Sequence, residues 1–90
     1  MQIPENAILP AVLLDAENRQ LASGEAQFLF CENRGWFRPT HIVAPTILDN
    51  LVKTAAIVRM SDGQTVKIQN LHLCPGILSG IHFDFELLVS

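Results

Sequence analysis

The sequence predicts a mainly β fold: a small antiparallel β-barrel or rolled sheet of about six strands, with one short helix over about residues 46–54. Three observations point there. Apolar residues recur at every second position in several short runs, the period of a strand with one covered face. Clusters of Gly, Pro, Asn and Asp punctuate those runs. A single stretch, 45–55, changes to a helical period.

Residues 1–6 read as a flexible leader to one small domain. "AILPAVLLD" (7–15) has apolar groups on both faces, and Pro10, lacking an N–H, belongs at a sheet edge or strand start. "AENRQ" (16–20) is a turn. In "GEAQFLFCE" (24–32), Ala26, Phe28 and Phe30 share one face, and Glu25, Gln27, Leu29 and Cys31 the other. "ENRG" (32–35) is the next turn, and 36–43 is extended with an interruption at Pro39.

Ile47, Leu48, Leu51, Val52 and Ala55 then fall on one face of a short helix, for which Thr46 is a suitable N-cap and Asp49 a capping-box partner. A helix this short persists only by packing on something else. In "IVRMSDGQTVKIQNL" (57–71), Asp62-Gly63 marks a hairpin turn between two alternating runs. Past Gln69 the phase slips: Leu71 and Leu73 take over the apolar role of Val66 and Ile68, which a strand achieves only through a bulge or bend. "CPG" (74–76) breaks the chain. In the last strand, 80–90, Ile81, Phe83, Phe85, Leu87 and Val89 line one face, and His82, Asp84 and Glu86 the other. Ser23-Gly24 with Phe28 and Phe30 echoes Ser79-Gly80 with Phe83 and Phe85, a hint of internal repetition.

Of 90 residues, 49% are apolar and only 17% charged, against roughly 25% charged in an average domain. A chain of this length buries roughly 60–65% of its unfolded surface. The surplus of apolar side chains therefore predicts a partner or a second copy of the chain, with Phe83, Phe85, Leu87 and Leu88 on the regular last strand as the expected interface. The net charge of −3 argues against general nucleic-acid binding. No apolar run has the length of a membrane span and no signal-peptide pattern opens the chain, so a cytoplasmic setting is expected. There, Cys31 and Cys74 are expected as buried, unbridged thiols.

The densest candidate for ligand chemistry is "ENRGWFRPTH" (32–41). Arg34 and Arg38 offer guanidinium groups to an anion, Trp36 a stacking surface, and His41 lies close by. Arg34-x-x-x-Arg38 resembles the paired arginines of the PilZ family of cyclic-dinucleotide receptors, which are also small β-barrels. The resemblance covers five residues. That family's second motif, Asp/Asn-x-Ser-x-x-Gly, is absent; Asn70-Leu71-His72 is a degenerate echo of it, with too little chain beyond for that family's barrel. The resemblance implies only a ligand class, a nucleotide or cyclic dinucleotide.

Metal chemistry has two fragments to work with. His72-x-Cys74 would need Cys31 and another histidine, and no Cys-x₂₋₄-Cys pair is present. His82, Asp84 and Glu86 form a row on one strand face, which without further ligands is a solvated face. No metal or other cofactor is therefore expected. No residue set meets the demands of a catalytic site, so the expectation is a non-catalytic assembly or regulatory binding module acting through protein contacts, with a small anionic-ligand receptor as the alternative.

Overall fold

The structure, a computed structural model, describes residues 6–40, 45–75 and 81–88, without the side chains of 45–47 and 75. It is a closed barrel of six antiparallel strands with one short helix. The strands are β1 (Leu9–Asp15), β2 (Gln20–Leu29), β3 (Arg34–Pro39), β4 (Ala55–Met60), β5 (Thr65–Pro75) and β6 (Ile81–Leu87). The helix α1 (Pro45–Thr54) lies between β3 and β4. Around the barrel the order is β1-β2-β3-β6-β5-β4, with β4 pairing back onto β1. Two three-strand meanders thus join along two seams, β1 with β4 and β3 with β6.

Turn chemistry sets the hairpins. In the β1–β2 turn, the Asn18 amide donates to the Asp15 carbonyl, and the Asp15 amide to the Arg19 carbonyl. The β4–β5 turn repeats this arrangement with Gly63 on Met60 and Met60 on Gln64. Each has one left-handed residue, Asn18 at φ 65° and Gly63 at φ 93°, as expected of a type I turn followed by a bulge. Asp62 itself does not take positive φ, so Gly63 alone supplies it.

The Asp15 carboxylate organises the first of these turns. Its Oδ1 accepts the amides of Glu17 and Arg19 at 2.9 Å each, and its Oδ2 accepts Arg19 Nε at 2.8 Å. The Arg19 amide, more than any other contact, holds this carboxyl below its usual range. A depressed folded-state pKa contributes stability that is full above the unfolded value, about 3.9, and is lost as pH falls through the folded one. Asp15→Asn is therefore expected to lower the urea midpoint at neutral pH and to flatten its fall below about pH 4. A midpoint and acid limb matching wild type would contradict this role.

The barrel interior is filled by side chains, as six strands require. Phe28, Phe37, Phe83, Phe85, Leu13 and Val58 are fully buried. Two glycines allow the strands to approach. A Cβ on Gly24 would overlap the Arg38 carbonyl and sit 2.8 Å from Pro39 Cα; one on Gly35 would sit 2.8 Å from the Phe85 ring. Leu51 plants α1 in the core, and Leu48 packs beside it. Complete burial of one leucine is worth about 1.5–3 kcal/mol, which answers the need of so short a helix for outside support.

Several local expectations change. The first turn is tighter than expected, since β2 begins at Gln20. Phe30 leaves the strand for a 3₁₀ turn, Phe30–Glu32, closed by Asn33 at φ 59°, so it does not join Ala26 and Phe28 inside. That turn comes two residues early, and β3 starts at Arg34. The helix starts at Pro45, a favoured first position, which puts Thr46 inside it rather than at its cap. Asp49 pairs with Lys53 at 3.0 Å, and Val52 is exposed. Cys31 is exposed and Cys74 half-buried, with neither in a disulfide.

The last strand is no open edge, because β6 is hydrogen-bonded to β3 on one side and β5 on the other. Phe83, Phe85 and Leu87 point into the barrel's own core, where their burial uses up the face expected to meet a partner; of that set only Leu88 is exposed. The Ser23-Gly24 echo also fails to follow the topology. It lies in β2, whose counterpart in the second meander is β5, whereas Phe83 and Phe85 are in β6. Most of the leader, together with Ser79, Gly80 and Val89, lies outside the described residues. Among those described, no helix is long and apolar enough to cross a membrane.

Candidate functional site

The polar side chains gather on one outer wall, formed by β2, β3, β6 and β5. Strand alternation sends Phe37 inward from β3 and leaves Arg34, Trp36 and Arg38 outside. Register then lines up rows across the wall. Gln27 is opposite Trp36, Trp36 opposite Asp84, and Asp84 opposite His72. The neighbouring row begins with Glu25 opposite Arg38 and ends with His82 opposite Cys74.

The β3 half of the wall is internally satisfied. Trp36 is half-buried and its Nε1–H donates to Gln27 Oε1 at 2.6 Å. The Arg38 guanidinium lies 5.8 Å from the Trp36 ring centre and donates to Glu25 Oε1 at 2.6 Å. Arg34 pairs with Glu32 at 3.1 Å. The expected binding residues Arg34, Trp36 and Arg38 are thus brought together, but both guanidiniums already face carboxylates, and an anion would have to displace Glu25 or Glu32. His41 lies outside the described residues. With Glu25, Glu32, Asp84 and Glu86 set against Arg34, Arg38 and Lys67, this wall is slightly acidic.

The β5–β6 half brings together residues that are far apart in sequence. Cys74 Sγ–H donates to Asp84 Oδ2 at 3.0 Å. His72 Nε2 is 3.8 Å from the same oxygen, and His82 Nε2 is 3.7 Å from Asp84 Oδ1. The carboxylate that accepts its proton, aided by partial burial, pushes the Cys74 thiol above its ordinary pKa. His72 Nδ1 lies 3.1 Å from the Asn70 carbonyl oxygen. A carbonyl only accepts, so Nδ1–H is the donor in this contact, and Nε2 is the ring nitrogen that faces Asp84.

A bulge makes this constellation. Asn70 takes φ 54°, and the β5–β6 register shifts between Gln69 and His72. Gln69 is opposite Glu86, yet His72 is opposite Asp84, so β5 spends one more residue than β6 over that step. Without the extra residue, His72 would face Phe83 and point into the core. The phase slip after Gln69 was visible in the sequence and marked the bulge; it did not reveal which β6 residues would then lie opposite.

No protein-family model, curated protein or solved structure matches the chain.

Proposed function

We propose that the protein is a non-catalytic binding module that self-associates through one end of its barrel. The supporting observation is the pair Phe30 and Leu88, 40% and 47% exposed. Phe30 lies in the β2–β3 turn and Leu88 just past β6. The Leu87 amide donates to the Asn33 carbonyl, which ties those two segments together. Phe30 stacks on the buried Phe28 at 5.5 Å, so its exposed face continues the core outward. This end is opposite the one α1 closes, because β1 leaves it at Leu9 and meets β4 near the helix at Asp15–Ala55. A second copy of the same chain, meeting end to end, covers both residues twice over in one symmetric contact. With a closed barrel, the contact is between side chains and not between strand edges.

Sedimentation of the full chain over a range of concentrations tests this reading. The wild type is expected to form a dimer or larger species at tens of micromolar, and Phe30→Ser to remain monomeric with its fold intact. A wild-type monomer across that range would remove the proposal. Binding of an anionic ligand is the second reading, supported by the Trp36–Arg38 stack, which offers a planar base a surface next to a guanidinium. Its ligand must exchange for Glu25.

A further inference from the structure

The geometry points to a divalent-metal site of the zinc class on the outer wall of β5 and β6, with His72, Cys74 and Asp84 as ligands. The ligand atoms of these three residues all lie within 4.8 Å of one another. Tetrahedral zinc, with bonds of about 2.0–2.3 Å, holds its ligands about 3.3–3.8 Å apart. The Cys74–Asp84 distance of 3.0 Å and the His72–Asp84 distance of 3.8 Å lie just below that range and at its upper edge, and rotamer shifts would have to bring the whole set, now within 4.8 Å, onto one ion. One nitrogen, one sulfur and one carboxylate oxygen form a donor set suited to zinc or cobalt(II) and poorly suited to magnesium or calcium, which take oxygen ligands.

The surroundings have the form of a metal site's outer contacts. His72 is oriented through Nδ1 by the Asn70 carbonyl, as metal-bound imidazoles are oriented by a backbone acceptor. His82 sits against the second oxygen of Asp84, Oδ1, and is the residue opposite Cys74 in the strand register. It steadies the carboxylate, and the fourth position is left to water from the exposed face. On binding, the Cys74 S–H bond breaks, its proton leaves to solvent, and the sulfur–metal bond forms. Binding through the thiolate therefore releases the Cys74 proton. The inference is independent of self-association, because these residues lie on the barrel's side wall and Phe30 and Leu88 at its end.

Cobalt(II) titration of the reduced full-length chain tests it. One equivalent is expected to give a thiolate-to-cobalt charge-transfer band together with the intense d–d bands of a tetrahedral site, and zinc is expected to bleach both. Cys74→Ser should abolish the charge-transfer band and weaken affinity at least about 100-fold, and His82→Ala should weaken it about 10-fold. Cys31→Ser, which alters the other thiol, should change neither. His72→Gln, at an exposed position, provides a second ligand deletion should Cys74→Ser fail to fold. The site is overturned by the absence of a charge-transfer band in the wild type, by its survival in Cys74→Ser, by its loss in Cys31→Ser, or by unchanged affinity in His72→Gln.

Discussion

Phe85→Ala is expected to lower stability by about 3–5 kcal/mol. The ring is 1% exposed, sits 5.9 Å from Phe28, and fills the space that Gly35 leaves open across the β3–β6 seam. Removing it leaves a cavity bounded by hydrogen-bonded strands on both sides, which cannot collapse as a loose surface would. For a domain of this size the loss corresponds to a fall in melting temperature of at least about 12 °C. Urea denaturation followed by Trp36 fluorescence measures it. An unchanged midpoint would mean that β6 does not face the core as described.

Gly24→Ala is expected to be as damaging, although it adds a single methyl group. The added carbon would overlap the Arg38 carbonyl and crowd Pro39 Cα, and both obstacles are backbone. A flexible side chain could swing aside; a strand cannot without giving up its ladder. The β2–β3 pairing from Gly24–Pro39 to Glu25–Arg38 would have to open, and with it the Arg38–Glu25 ion pair. The expected loss is about 4 kcal/mol or more, in the range that marks a named steric fault. Gly63→Ala provides the contrast, since its Cβ would meet nothing within 4 Å and the strain arises from φ 93° alone; its cost is expected near 1 kcal/mol. Equal effects at the two positions would refute the close-approach argument.

Strand and helix content could be read from local patterns because side-chain period responds directly to which face is covered. The alternation Phe83-Asp84-Phe85-Glu86-Leu87 identified β6, and the slip after Gln69 identified the bulge in β5. What sequence could not supply was which strands lie side by side. Covered on both edges, β6 presents no seam to a partner, and the aromatic residues expected at an interface belong to the interior. The same limit applied to the candidate site. His72-x-Cys74 and His82-x-Asp84 are each visible as fragments, one without any Cys-x₂₋₄-Cys pair beside it and the other without further ligands. Only strand pairing, with one extra residue at Asn70–Leu71, puts one fragment opposite the other. Phe30 departs from the alternation for a different reason: β2 ends at Leu29, and Phe30 opens a 3₁₀ turn that left-handed Asn33 closes.

The two-seam construction bears on how the chain acquires its shape. Each meander is built from neighbouring hairpins, which close quickly because their partners are near in sequence. The seams β1–β4 and β3–β6 join segments from opposite halves of the chain, so their closure is entropically slow. Until both have formed, each half bears two open edges and an uncovered oily face, the condition most prone to wrong pairing with another molecule. Leu51, reaching from the only connection between the halves into their shared interior, is placed to draw them together during that interval.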